Sequence, residues 1–407
     1  MLIRFPALLS LLLQFRFSFG LTPFPDAAFT KAINYTQEKA GDAVGITLLQ
    51  DARQSGAVCL DGSAPAYHLR PGFGSGAKNW HIRLEGGGWC ESSSACATRA
   101  KTSHGSSKLM SNQILFNGIL SNKYSVNPDF YNWNHVYVRY CDGGSFSADV
   151  AVPVRHWSGQ ALYFRGLRIF RAVVKHLQTK GLSTAKQALL SGCSAGGLGV
   201  VHRCNEFKYL LPNANVKCLS DAGYFVNGQS IRGNFAMYNY YKGVVNLQKL
   251  QNTLARACTS AKDPVQCFFP QQAQGYIRQP TFFVNAAYDN WQLENVKEIS
   301  WRQYSPCMRF ASCFHAKTLQ AFRQNLLNGL FYAQSRAGWG TFIDSCFSHC
   351  QLEVDIKWTR PRIHGKSLAK AVGDWYFGRS QSTHYIDCGF PTCNPTCVKY
   401  PLMSTST

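Results

Sequence analysis

Acidic side chains are scarce in this sequence: 21 Asp and Glu stand against 42 Lys and Arg over 407 residues, a formal charge of +21. A chain this basic is expected to concentrate at a polyanion such as acidic polysaccharide, nucleic acid or an anionic membrane surface. No Lys/Arg-rich block of the kind that grips nucleic acid stands out, so nucleic acid is not the expected partner. No apolar run reaches the length that crosses a bilayer, so a membrane span is not expected either. Internal repeats and low-complexity linkers are also missing, and strand-like and helix-like segments alternate, which favours a single α/β domain over residues 21–400 followed by a polar tail, 401–407. With 45% hydrophobic and 14% aromatic residues the chain has ample material for a folded core.

The first 20 residues carry Arg4, a short apolar stretch from Phe5 to Leu13, and the small residues Ser18 and Gly20. That stretch is too short for a bilayer and suits the apolar region of a cleaved secretory signal, with no polar face to complete an amphipathic helix. Losing Arg4 and Arg16 with it would leave a charge of +19. Sixteen cysteines, an even number widely scattered, agree with an oxidising, extracellular destination in which most are paired. There the sequon Asn34-Tyr35-Thr36 is the expected glycosylation site, whereas Asn394-Pro395-Thr396 is excluded by its proline. Cys346, His349 and Cys350 have a spacing that zinc could use, but no second pair accompanies them, and no metal is expected.

The chemistry centres on Gly192-Cys193-Ser194-Ala195-Gly196. An apolar run (187–190) precedes it and a helical run (197–210) follows, so the segment reads as a strand turning sharply into a helix with Ser194 held out on the turn. Glycines are needed there because the two backbones approach too closely for side chains. The helix would aim its first N–H groups at the place where an oxyanion forms. Upstream, the strand-like run 79–84 opens into Glu85-Gly86-Gly87-Gly88-Trp89-Cys90, a loop whose backbone N–H groups can approach a ligand oxygen. Between the two lie a strand at 135–140 and helical spacing of apolar residues over 162–177.

Serine hydrolysis needs a base beside the hydroxyl and an acid to orient that base. For an α/β-hydrolase the order along the chain is Ser, then acid, then His, each past the carboxyl end of a strand. Strands are expected at 216–219, 281–284 and 340–343, and Ser194, Asp289 and His349 satisfy the order. Asp221, one strand earlier, is the competing acid. His364 and His384 read as surface or packing residues, and Cys193 as a small buried hydrophobe or half of a disulfide.

Several longer runs resemble the plant pectin acetylesterase family: 56–63, Leu84-Glu85-Gly86-Gly87-Gly88-Trp89-Cys90, Arg139-Tyr140-Cys141-Asp142-Gly143-Gly144-Ser145, the turn around Ser194, 285–289, Asp344-Ser345-Cys346-Phe347-Ser348-His349-Cys350, and 372–377. The resemblance spans about residues 44–397 and extends, more distantly, to the animal carboxylesterase Notum, which removes a fatty acyl group from a signalling protein. It implies an α/β-hydrolase fold, a triad of Ser194, Asp289 and His349, and an oxyanion hole from the N–H groups of Gly88, Trp89 and Ala195. It also implies a secreted enzyme that needs no cofactor and removes acetyl esters from pectin, a polyanion, in the cell wall. The segment 291–313 is a few residues shorter than the family pattern, which bears on which ester position is preferred. A lipid-type deacylase like Notum and a non-catalytic, basic wall-binding protein are the alternatives.

Overall fold

The computed structural model describes residues 41–398, with 309, 311 and 392 excepted. The signal segment, Asn34 and the polar tail lie outside the described residues. Among the described residues ten strands make one sheet: β1 (Asp42–Leu48), β2 (Ala66–Arg70), β3 (Asn79–Leu84), β4 (Gln113–Phe116), β5 (Asn134–Val138), β6 (Gln187–Cys193), β7 (Asn215–Asp221), β8 (Thr281–Ala286), β9 (Gly340–Asp344) and β10 (His384–Ile386). Their order is β10-β9-β8-β7-β6-β3-β5-β2-β1-β4. From β10 to β5 every pairing is parallel, and beyond β5 every pairing is antiparallel. Residue patterns account for the change. β8 and β9 are buried at every position, as parallel strands covered on both faces must be, whereas β1 exposes most of its residues near the edge.

Helices cover both faces of the parallel part. α1 (Gly166–Thr179), α2 (Ala195–Leu210) and, after a short α3 (Asn290–Asn295), α4 (Ala316–Ser335) contribute Phe170, Leu198 and Phe322 to one core. α5 (Leu368–Phe377) contributes Val372 and Trp375 to the other. Along β6, Ala188 and Leu190 face the first core and Leu189 the second, the alternation that a pleated strand imposes.

The helix expected at 162–177 starts later, at Gly166. Residues 161–164 are held extended by neighbours: Ala161–Leu162 pairs with Val154–Arg155, the Tyr163 N–H donates to the Leu60 carbonyl, and the Phe164 carbonyl accepts from Val150. Local periodicity gave way there to non-local hydrogen bonds. All sixteen cysteines are paired, in eight disulfides: Cys59–Cys141, Cys90–Cys96, Cys193–Cys350, Cys204–Cys218, Cys258–Cys267, Cys307–Cys313, Cys346–Cys397 and Cys388–Cys393. Among the described residues no helix is long and apolar enough to cross a membrane.

Candidate active site

β6 ends at Cys193 and α2 begins at Ala195, leaving Ser194 alone to make the turn with φ 56° and ψ −123°. A non-glycine residue held there costs about 1–3 kcal/mol, so its surroundings must over-determine it. They do so on three sides. The Ser194 N–H donates to the Asp221 carbonyl at 2.9 Å, its carbonyl accepts from the Leu198 N–H at 2.9 Å, and Cys193 is bonded to Cys350. A Cβ on Gly192 would overlap the Gly196 carbonyl, and one on Gly196 would overlap the Leu84 carbonyl. The requirement for glycine is therefore a packing fact of this turn.

His349 lies past β9 and Asp289 past β8. The imidazole Nδ1 sits 2.8 Å from Asp289 Oδ2 and 3.0 Å from Oδ1, which leaves Nε2 on the far side of the ring. Asp289 is fully buried and also accepts from the Gln292 N–H at 3.0 Å, capping α3. A His349 ring nitrogen, Cys193 Sγ and Cys350 Sγ lie within 4.8 Å of one another, so the imidazole rests against the disulfide that begins one residue before Ser194. Trp291 stacks on the ring, with centroids 6.0 Å apart and planes at 26°. Burial alone would lower the His349 pKa; the charge and hydrogen bond of Asp289, helped by the charge of Asp221, outweigh it, and the net shift is upward. The zinc-like spacing resolves into two disulfides, because Cys346 is bonded to Cys397 and Cys350 to Cys193, and neither sulfur is left as a thiolate ligand.

Asp221, the rival acid, is also fully buried, but its carboxylate hydrogen-bonds to backbone and not to the imidazole. Its Oδ2 accepts from the backbone N–H groups of Gln351 and Leu352 at 2.9 and 3.0 Å, and Arg83 lies 3.7 Å away. Burial raises its pKa, opposed by the charge of Arg83 and those two N–H groups. Arg83 is itself paired with Glu353 at 2.7 Å. Asp221 thus clamps the loop that carries His349, while its own carbonyl holds Ser194.

The glycine loop approaches the start of α2, and two residues that sequence reasoning gave no role tie them together. Ser145 Oγ accepts from Trp89 Nε1 and donates to the Ala195 carbonyl, both at 2.7 Å. Tyr140 donates its hydroxyl to the Gly88 carbonyl at 2.8 Å and accepts from the Ser145 N–H at 3.0 Å. The N–H groups of Gly88, Trp89 and Ala195 have no acceptor among the described residues. A hydroxyl on a forced turn, an imidazole fixed by a carboxylate and a set of unoccupied N–H donors are the parts that acyl transfer requires.

A family model described as pectinacetylesterase matches residues 37–398. The chain belongs to that family. Pectin acetylesterase 7 of Arabidopsis thaliana is 46% identical over 89% of this chain and 94% of its own length, and pectin acetylesterase 5 of the same plant is 40% identical over 95% and 92%. The palmitoleoyl-protein carboxylesterase notum1 of Xenopus laevis is more distant, at 29% over 84% and 72%. Among solved structures, the Wnt deacylase Notum from Drosophila superposes with a TM-score of 0.75 at 23% identity, covering 88% of this chain and 100% of that one. The fold is accordingly that of an α/β-hydrolase, and this member of the pectinacetylesterase family is a carboxylic ester hydrolase. Tyr140 and Ser145 fall in the run 139–145 by which the sequence resembles the family, so the signal for them was present without a role attached. Trp291 opens the segment 291–313, so that segment begins against the imidazole.

Proposed function

We propose that this protein is a secreted serine esterase, one domain over residues 21–400 after loss of a signal at 1–20, that removes acetyl groups from pectin in the plant cell wall. The observation that carries the reading is the Asp289–His349 hydrogen bond set against the Ser194 turn. Ser194 Oγ attacks the acetyl carbonyl carbon while His349 Nε2 takes its proton. The carbonyl electron pair moves onto oxygen, which the N–H groups of Gly88, Trp89 and Ala195 receive. On collapse the C–O bond to the sugar breaks, and the leaving alkoxide takes the proton from His349. Water then attacks the acetyl-Ser194 ester, gives a proton to His349, and acetate leaves as Ser194 regains it. Throughout, Asp289 holds the tautomer with the proton on Nδ1 and stabilises the imidazolium.

A small acyl group suits the surroundings. Trp89 packs edge-on against Phe225 at 5.0 Å, Tyr241 at 5.1 Å and Trp291 at 5.9 Å between centroids, so the loop that carries the oxyanion donors is walled by close-packed aromatic rings, which supports a small acyl group. The high positive charge fits a polymer of uronates, and the eight disulfides and the Asn34 sequon fit an extracellular glycoprotein.

Acetate release from acetylated pectin, beside acetylated xylan and a long-chain acyl ester, tests the substrate, with Ser194→Ala as the reference. Pectin should be the best of the three, and Ser194→Ala should lose activity on the order of a million-fold. Retention of more than about a thousandth of wild-type turnover would remove Ser194 from its role. Faster hydrolysis of the long-chain ester would replace the acetyl reading with a Notum-like one.

A further inference from the structure

At the other end of α2 from Ser194, a cleft of about 370 Å³ opens between the last turns of that helix, residues 255–257 and the loop entering β8. Ten to fourteen helical residues separate it from the turn, about 15–20 Å along the axis. None of the residues lining it is acidic. Three are basic: Lys208, Arg256 and Arg278. Arg256 and Arg278 are exposed and have no carboxylate partner among the described residues. The Lys208 ammonium donates to the carbonyls of Pro212 and Ala214, which fixes its place while leaving its charge. Tyr209, 82% exposed, offers an open ring at the rim.

The walls are held rather than loose. Asn205 donates to the Tyr276 carbonyl at 2.7 Å and accepts from the Arg278 N–H at 2.8 Å, locking the loop onto α2. Cys204–Cys218 ties the same turn of α2 to β7, and Cys258–Cys267 staples the segment that presents Arg256. One fixed cation, Lys208, and two exposed arginines carried on a braced backbone around a concave surface, with an aromatic face beside them, present the charge and shape that carboxylated sugars require.

We propose that this cleft is a second, non-catalytic binding site for a run of uronate residues of an acidic polysaccharide. The inference takes its polymer from the pectin reading but does not depend on the triad. A chain held there raises its own effective concentration at the catalytic groove without any new contact in that groove. The site should therefore matter for long polymer and not for small esters.

Electrophoresis through gels with and without fully de-esterified polygalacturonate, which holds no ester to cleave, gives the test. The double variant Arg256→Ser/Arg278→Ser removes exposed side chains only, and Arg53→Ser/Lys123→Ser is a control of equal charge outside the cleft. The cleft variant should bind the polymer about fivefold more weakly than wild type and the control less than about twofold more weakly. Turnover of nitrophenyl acetate should be unchanged in all three. Equal weakening in the cleft variant and the control, or no retardation of wild type, overturns the second site. Acetate release from pectin is scored separately, so wild type that deacetylates pectin while both variants bind alike sinks the cleft alone. Wild type that binds through the cleft but releases no acetate sinks the pectin substrate alone.

Discussion

Asp221 ends β7 and Asp289 lies three residues beyond β8, the neighbouring strand; both are fully buried, and both reach the segment that carries His349. One grips the backbone of that segment and the other its imidazole. Asp221 Oδ2 accepts from Gln351 and Leu352 while Arg83 stands 3.7 Å away, so that oxygen serves to position chain. Asp289 accepts one N–H of its own helix and presents both oxygens to Nδ1 of His349. The difference teaches that burial beside a histidine does not define the acid of a triad. What decides is whether the carboxylate is left to face the ring.

The largest effect expected of this pair is catalytic. Asp289→Asn keeps the shape but offers an amide where the imidazole needs a carboxylate, and kcat on an acetyl ester should fall about ten-thousand-fold with KM little changed. Steady-state kinetics read the two constants separately. A larger loss of kcat in Asp221→Asn would exchange the two assignments.

The next effect concerns stability. Asp221→Asn leaves the fully buried Arg83 with Glu353 as its remaining close acid, and it weakens the hold on Gln351 and Leu352. Removing one partner from a buried charged group costs about 3–5 kcal/mol. Urea unfolding with the disulfides intact should show a loss of that order, with kcat reduced by less than about a hundredfold. An unfolding midpoint at the wild-type value would show that the clamp carries no weight.

Much of this arrangement was legible because its causes are local. Gly192 precedes Ser194 because a Cβ there would overlap the Gly196 carbonyl four residues on, a constraint written within the turn itself; Gly196 answers to the Leu84 carbonyl of β3, but the pattern that marks both glycines is read within five residues. Asp289 and His349 followed from chain order, because parallel strands deliver their loops to one end of the sheet. The disulfide from Cys193 to Cys350 spans 157 residues, and the Asp221 clamp joins residues 130 apart. Such pairings depend on strand order, which composition and periodicity leave open. The antiparallel edge, β2-β1-β4, stayed unread for the same reason, since β1 and β4 meet only after two intervening strands. Ser145 shows a third kind of gap: a serine in a quoted motif carries no sign that its hydroxyl will bridge Trp89 and Ala195.

The smallest effect is the most discriminating, because both carboxylates act on the same ring. Burial pulls the His349 pKa down, the Asp289 charge and its hydrogen bond push it up, and Asp221 pushes it up less. The folded value is therefore above the ordinary 6.5, and the stability that protonated His349 contributes is fully present below that pH and lost as pH rises through the folded pKa. For catalysis the sign is opposite, since the base must be neutral. Accordingly kcat/KM should rise with pH through the same folded pKa, giving an acid limb above the usual imidazole range. An NMR titration of the His349 ring should place the midpoint highest in wild type, lower in Asp221→Asn and lowest in Asp289→Asn. The acid limb of Asp221→Asn should move to lower pH with its ring midpoint. Equal shifts in the two variants would mean that the imidazole senses buried negative charge at large, and the distinction between a carboxylate that faces the ring and one that grips the chain would then rest on kcat alone.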